Sequence, residues 1–451
     1  MERIKAEVVV VGSGSGGATV ARELAKRGIK DVVLLEGSKY HKWIGGYLPS
    51  MRYIDKAGFL KSEEGTMVYR GMTVGGSTLV YVGCATPPPK WLKDKYGINL
   101  NAELEETQEE LKFGPLPDEL KGKASIRLME TANEMGYKWE PILKFIDPEK
   151  CKPDCGLCML ACKKGAKWTT REYIKEAQAN GTRLMPEVKV REVITEAGEA
   201  VGVRGHGPNG PIEVMANMVV LSAGGLGTPP ILQRSGISDA GQGFFVDPCF
   251  GVFGTTRDKG MAGEIPMSVG SYELCDSDGI MLSSMMFPKL MYPIYLAREG
   301  IRHVPKWLHY GKTIGILVKI RDELVGRVNL DGSFSKPITY KDRWKLDKGA
   351  AIAEKILIEA GADPDSFVTM GIFSGHPGGT VRLGELVDRN LETQIKNLYV
   401  CDTSVIPEAP GQPTVLMTIC LAKRLAKRLH TILSGAREER RIPVAEPAVA
   451  V

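Results

Sequence analysis

The chain has 451 residues, 43% of them hydrophobic and 25% charged, with 59 basic and 54 acidic side chains giving a formal net charge of +5. That length exceeds what one hydrophobic core usually fills, so two or more substructures are expected in an ordinary globular protein. So mild a charge, with no basic stripe, excludes a nucleic-acid binder. No stretch approaches the roughly 20 apolar residues of a membrane-spanning helix. The opening MERIKAEVVVVGSG runs straight into a strand without a leader pattern, so a cytoplasmic location is the expectation.

EVVVVGSGSGGATVARELAKRG reads as a buried parallel strand, a glycine turn and a helix. Gly12, Gly14 and Gly17 have G-x-G-x-x-G spacing, with Ser15 and Gly16 between them. The first glycine allows the tight turn, the second a close approach to a pyrophosphate, and the third close packing of helix on strand. The helix N-terminus then aims free N–H groups at phosphate. A second strand, DVVLLEGS, ends in Glu36, nineteen positions after Gly17, where an acid can bond ribose hydroxyls. A glycine turn serving packing alone is the competing reading, and the motif does not separate FAD from NAD.

Further along, ELEETQEELK (103–112) predicts an acidic helix with a solvated face, within a segment 100–150 that covers the cofactor entrance. CKPDCGLCMLACKKGAK then places Cys151, Cys155, Cys158 and Cys162 in C-x3-C-x2-C-x3-C spacing. Closely spaced thiolates of this kind hold iron–sulfur clusters. Zinc, reduced structural thiols and a redox disulfide stay open as alternatives. Lys150, Lys152, Lys163, Lys164 and Lys167 surround them, either as a solvated loop or as a patch for an acidic partner. The other five cysteines, Cys84, Cys249, Cys275, Cys401 and Cys420, read as buried fillers.

From 244 to 371 the pattern changes. GILVKIRDELVGRVNLDGSFSKPITY predicts antiparallel strands with a hairpin at Asp331-Gly332, and LDKGAAIAEKILIEAGADP a helix stopped by Gly361. The Met- and aromatic-rich run 279–311 reads as core, or else as an adaptable pocket wall or a surface for lipid or quinone. NLYVC then predicts a buried strand that sets Asp402 at its carboxyl end, where α/β sheets bind ligands. PTVLMTICLAKRLAKRLHTILSG follows as a helix ended by Gly435, with a Pro/Ala/Val-rich flexible tail over 436–451.

Taken in order, the first cradle, GMTVGGSTLVY (71–81), VVLSAGGLGTPPILQRSGI (219–237), GHPGGTVRLG (375–384) and NLYVCDTSVIPEAPGQPT (397–414) resemble the glucose–methanol–choline (GMC) oxidoreductases across almost the whole chain. The resemblance implies an α/β fold: a Rossmann-type FAD-binding domain and a substrate domain built on an antiparallel sheet. It places the FAD domain at 1–243 and 372–435, including the cover and the cysteine-rich insert 151–167, and the substrate domain at 244–371. It makes Gly75, Gly76, Ser77 and Thr78 cofactor contacts, sets Val188 at the adenine, and puts Ala223 and Gly224 on a turn beside the cofactor. It also brings Asp402 to the ribityl and phosphate, and Pro413 and Thr414 to the flavin.

Of six histidines, His206 and His430 read as surface residues, His303 and His309 as flanking Trp307, and His41 as unassigned. The resemblance makes His376 the base that takes the alcohol proton while hydride leaves carbon, with packing alone as the rival role. A near-neutral imidazole suits that step. The family pairs this histidine with a second His or Asn. Here that register holds Pro413, so Gln412 is the candidate partner.

Some members of the family have a cysteine-rich insert before a G-A-K segment, here Gly165 to Lys167, that carries a [4Fe-4S] cluster. The expected activity is thus an FAD-dependent alcohol or sugar dehydrogenase, passing electrons through the cluster to an acceptor protein or quinone. An oxygen-reducing oxidase and a non-catalytic electron-transfer flavoprotein subunit are the alternatives.

Overall fold

The computed structural model describes residues 2–439. The β-branched run Val8–Val11 ends a strand, Glu2–Val11, and all four of those residues are buried, as a strand covered on both faces requires. It pairs in parallel with Val32–Glu36 on one side and Gly210–Leu221 on the other, and Arg183–Pro186 extends the sheet beyond Val32–Glu36. Gly210–Leu221 serves two further neighbours. Its first half pairs antiparallel with Glu199–Gly207, which in turn pairs with Lys189–Glu196. Its last residues pair in parallel with Leu398–Val400, so a strand from near the other end of the chain completes this seven-stranded sheet. Val11, Glu36, Leu221 and Val400 therefore finish on one edge, where a parallel sheet takes its ligand.

The second sheet has eight strands and is mostly antiparallel. At its centre Cys249–Thr256 pairs with Thr313–Ile320, which pairs with Ile280–Ser284. Met67–Val68, Glu140–Pro141 and Phe373–Ser374 join it from outside 244–371. The Asp331-Gly332 hairpin forms, with Gly332 at φ +86°, but its strands Gly326–Val328 and Phe334–Ser335 build a separate three-stranded sheet with Gln242–Phe244. The predicted helix runs over Tyr340–Glu359, opened by a Thr339–Asp342 capping box and followed by Gly361 at φ +91°.

Met281, Met285, Met286, Phe287 and Tyr292 are buried in the core of this second layer, whereas Leu290, Ile294, Ile301 and Leu308 of the same run are exposed. The final helix, Val415–Glu439, continues through Gly435, so the first residues of the expected tail are helical. The rest of that tail, 440–451, lies outside the described residues.

The acidic helix, Asn101–Leu111, departs from expectation. Its carboxylates do not face water alone: they meet Lys423 and Lys427 of the final helix. Glu106 and Glu110 accept from the fully buried Lys423 at 3.2 and 2.7 Å, and Glu103 and Glu106 from Lys427 at 2.8 and 3.0 Å. Glu110 also pairs with buried Arg22 of the first helix, Ser15–Lys26. Charge runs on two distant segments thus read as solvated singly and neutralise each other when packed.

Burial works to raise the Glu110 carboxyl, but Lys423 and Arg22 win and hold it below the usual carboxylate range. A depressed acid adds stability that is present above its unfolded value and is lost as pH falls through the folded one. Glu110→Gln should therefore cost about 2 kcal/mol at pH 7, seen as a drop of a few degrees in the thermal midpoint. The gap to wild type should close in a pH series taken below about 4.

Candidate active site

A cavity of about 620 Å³ begins at the Gly12–Gly16 turn, crosses the edge where the parallel strands end, and reaches His376 and the second sheet. Its glycines divide into two kinds. A Cβ on Gly12 would lie 2.2 Å from the Ser222 carbonyl oxygen, on Gly16 1.8 Å from that of Cys401, and on Gly17 1.9 Å from that of Gly12. These three let the first helix sit against the strand ends, and Gly17 does not itself line the cavity. A Cβ on Gly14 meets nothing within 4 Å, so that position leaves room for a ligand.

Glu36 lines the cavity and also locks the turn: one carboxylate oxygen accepts from the Ser13 N–H and hydroxyl at 3.1 and 2.6 Å, the other from the Ser38 N–H at 2.8 Å. Val188 lines the same end, but its N–H is donated to the Glu36 carbonyl at 2.9 Å. It is therefore not free to read an adenine, and Val188 offers a side-chain wall in place of the expected amide.

Next along the cavity, Gly76, Ser77 and Thr78 face it. Gly75 lies behind them, its N–H donating to the Ser13 hydroxyl at 2.9 Å, which ties this loop to the first turn. Ala223, Gly224 and Asp402 line the opposite wall. Asp402 accepts from the Gly224 N–H at 2.8 Å and the Thr228 hydroxyl at 2.6 Å with one oxygen, and from the Ser404 N–H at 2.7 Å with the other. It is the clasp that shapes the turn. Pro413 and Thr414 complete the wall where the final helix begins.

At the far end His376 lines the cavity, and its Nδ1 lies 3.0 Å from the Asp247 carboxylate. Asp247 sits behind it, fully buried and left-handed at φ +50°. An aspartate tolerates this conformation only when its surroundings over-determine it, and here they do. The Val246 and Asp247 N–H groups donate to Asp322 at 3.1 and 2.9 Å, and Asp322 is ion-paired with buried Lys336 at 2.9 Å. The Gly411 N–H donates to the second Asp247 oxygen at 2.9 Å.

Burial pushes the Asp247 carboxyl up to about 7, against the pull of Lys319 and the Gly411 N–H. Burial, followed by the Lys319 charge, pushes His376 well below its ordinary value. A neutral imidazole that donates Nδ1–H to Asp247 keeps Nε2 as a lone pair for the cavity.

Gln412 does not reach this site. Its side-chain amide donates to the Pro87 carbonyl at 3.1 Å, and it does not line the cavity. Proline on both sides of a Gly-Gln pair turns the neighbouring Gly411 N–H inward instead. The signal missed in the sequence is the charge inside apolar runs: Asp247 in FFVDPC and Lys319 in GILVKI, the latter within a strand buried at all eight positions. Cys249 and Cys84 are more than fillers, since both line the cavity. His303 and His309 do not line it.

The four clustered cysteines sit on one loop beside the far end, where Met159 lines the cavity. The loop is held by its carbonyls: Tyr69 donates to Met159 O at 2.9 Å, Tyr53 to Leu160 O at 2.7 Å and Lys167 to Cys158 O at 2.7 Å. Lys167 is thus buried and structural, not part of a surface patch. Cys151, Cys158 and Cys162 pack against the apolar cluster that includes Leu116, Ile146 and Ile265, and Cys155 is exposed. The thiols sense one another electrostatically: burial first, then Cys158, Cys162 and Cys155, push Cys151 up to about 11. Yet among the described residues no three His, Cys, Asp or Glu side chains are arranged to hold a metal ion. The expected four-thiolate centre is not assembled.

A dinucleotide cradle opening into a largely apolar chamber with one half-buried imidazole is the arrangement of a dinucleotide-dependent oxidoreductase. The chain belongs to the GMC oxidoreductases: the amino-terminal model of that family matches residues 6–251 and the carboxy-terminal model residues 337–422. It is thus FAD-dependent, and the open space at Gly14 and along Gly76 to Thr78 fits that cofactor.

The chain is 27% identical to a long-chain-alcohol oxidase of Arabidopsis thaliana, over 96% of this chain and 69% of that protein. It is 29% identical to an uncharacterized protein of Methanocaldococcus jannaschii, over 94% and 99%. Among solved structures, pyridoxine 4-oxidase from Mesorbium loti superposes with a TM-score of 0.72 at 17% identity, over 94% and 99% of the two chains. Formate oxidase gives 0.72 at 15%, over 96% and 100%. The fold is that of the GMC oxidoreductases, as the resemblance implies.

The two kinds of glycine make a paired prediction. Gly14→Ala should keep the wild-type circular dichroism and thermal midpoint of the FAD-free protein but bind FAD at least about tenfold more weakly, because its methyl enters ligand space. Gly17→Ala should lower that midpoint, because its methyl meets backbone.

Proposed function

We propose that this protein oxidises a CH–OH group of an apolar alcohol, with His376 as the base. The observation that carries the reading is the His376–Asp247 pair: Nδ1 is taken by a buried carboxylate and Nε2 is left to the cavity. The apolar character of the substrate is supported by the far wall, which is built from Tyr69, Met159, Met267, Met285, Leu317 and Phe373. Similarity to a long-chain-alcohol oxidase points the same way.

Bound FAD supplies the acceptor for the hydride. The protein's own residues do the rest. The apolar wall seats the carbon chain and excludes water, and His376 Nε2 takes the hydroxyl proton. Asp247 holds the ring in the productive tautomer and stabilises the imidazolium that forms.

The same proposal has the enzyme working as a dehydrogenase in the cytoplasm, handing electrons to an external protein or quinone in preference to oxygen. All nine cysteines are free thiols, which supports a reducing compartment. A second reading gives the four-cysteine loop an iron–sulfur cluster. It is favoured by four thiols on one loop beside the cavity, and it requires them to draw closer together than in the structure. Iron and acid-labile sulfide in anaerobically purified protein decide it: near-zero values sink the cluster. Stoichiometric hydrogen peroxide during turnover in air would sink the dehydrogenase reading in favour of an oxidase.

Anaerobic bleaching of the flavin by a panel of alcohols tests the central claim. 1-Decanol should bleach it and glucose should not. His376→Ala should slow bleaching by about a hundredfold or more, and Asp247→Asn by a similar factor with FAD content unchanged. Equal rates in His376→Ala and wild type would overturn the assignment.

The pH dependence follows from the sign of the Asp247 shift. Below about 7 its carboxyl takes up a proton and no longer accepts from Nδ1–H, so the wild-type bleaching rate should fall as pH drops through that value. In Asp247→Asn this limb of the profile should be gone.

A further inference from the structure

Six lysines are buried among the described residues: Lys121, Lys144, Lys167, Lys319, Lys336 and Lys423. A buried ammonium is costly unless its donors are satisfied, and five of the six meet that demand. Lys144 donates to two carbonyls at 2.9 and 3.0 Å and to the Cys84 thiol. Lys167 donates to three carbonyls, at 2.8, 2.5 and 2.7 Å. Lys336, Lys423 and Lys121 each have a carboxylate within 2.9 Å.

Lys319 is the exception. It has no ion-pair partner within 4 Å among the described residues, and its polar contacts are the Asp247 carbonyl at a long 3.4 Å and the Cys249 thiol opposite it. It is also the one of the six that lines the cavity.

Its placement follows from strand register. Lys319 stands directly opposite Cys249 on the neighbouring antiparallel strand, and Cys249 stands opposite Phe373. Directly paired residues share a face, and all three line the cavity, as does Leu317 two positions earlier. The same ammonium acts on both members of the His376–Asp247 pair: its charge opposes protonation of the imidazole and favours the carboxylate.

We propose that Lys319 is the second catalytic group of this site, its ammonium receiving the substrate oxygen as that oxygen loses its proton to His376. It takes the place for which the sequence offered Gln412. The assignment rests on the alcohol-oxidation reading above. In the step, the O–H bond breaks toward His376 Nε2 and the C–H bond breaks with its electron pair going to the flavin. The oxygen, whose negative charge grows before the carbonyl forms, is held by Lys319, which neither gains nor loses a proton.

The test compares Lys319→Met and Lys319→Arg with wild type, all FAD-loaded. With 1-decanol in anaerobic stopped flow, Lys319→Met should lower the limiting rate of flavin bleaching by about 10²- to 10³-fold, the usual loss for one oxyanion donor. The apparent Kd should move less than threefold, and Lys319→Arg should recover part of the rate. An unchanged limiting rate overturns the proposal. So does a change confined to Kd, which would make Lys319 a binding cation only.

A second measurement needs no turnover. Decanoate, which offers a permanent oxygen anion on the same chain, should perturb the wild-type flavin spectrum, and Lys319→Met should weaken its binding at least tenfold. Wild-type protein indifferent to both acetate and decanoate would overturn the oxyanion site. If decanoate binding depends on Lys319 while no alcohol bleaches wild type, the oxyanion site stands and the alcohol reading falls.

Discussion

The far end of the cavity depends on a negative charge kept out of water. Asp247 is fully buried and backed by Asp322, itself buried, so two carboxylates occupy one dry corner. Such a corner is tolerable only because cations of equal number accompany it, Lys336 on Asp322 and Lys319 within electrostatic reach of Asp247. The balance is uneven in a useful way. Lys336 is bound fully into the protein, while Lys319, held only by a long contact to the Asp247 carbonyl and by the Cys249 thiol, lines the cavity. A site neutral as a whole still presents one base and one cation to whatever enters.

That corner is assembled from four separated stretches of chain. Asp247 precedes one central strand of the second sheet, Lys319 lies within its neighbour, and His376 follows the short strand Phe373–Ser374. The fourth is the loop before the final helix, whose Gly411 N–H completes the Asp247 carboxylate. That loop runs between Leu398–Val400 of the first sheet and the start of Val415–Glu439. The chemistry therefore sits at the seam of the two sheets, where the nucleotide cradle can deliver a flavin to residues that the second sheet supplies.

How much of this is legible in the sequence depends on how local each feature is. The cradle is local: its glycines, the strand before them and the acid after them lie within one strand–helix–strand unit, and the cavity runs over Gly12, Gly14 and Glu36 as read. That His376 lines the cavity is legible because a family motif surrounds it. Its partner is not, because the pairing joins residues 129 apart, and in the expected Gln412 stretch it is the adjacent Gly411 backbone N–H, not a side chain, that reaches Asp247. Val188 fails for a related reason. It lines the cavity, yet the N–H it was expected to offer is spent on the Glu36 carbonyl, which no motif reveals. The acidic helix is misread alone because its counter-charges, Lys423 and Lys427, lie more than 300 residues away.

The cysteine loop shows where spacing alone stops being informative. Four thiols in twelve residues satisfy a pattern, but a pattern fixes only sequence distance, and a metal needs convergent lone pairs in space. In the structure the loop is positioned by groups that are not cysteines: Tyr53, Tyr69 and Lys167 fix three consecutive carbonyls, of Cys158, Met159 and Leu160. Those bonds aim Met159 at the chamber, which makes the loop part of the substrate wall whatever its thiols hold. With methionines on its wall and one sparsely bonded ammonium near the Asp247 carbonyl, the far end offers an apolar surface with a cation set into it, the pairing on which the proposed substrate rests.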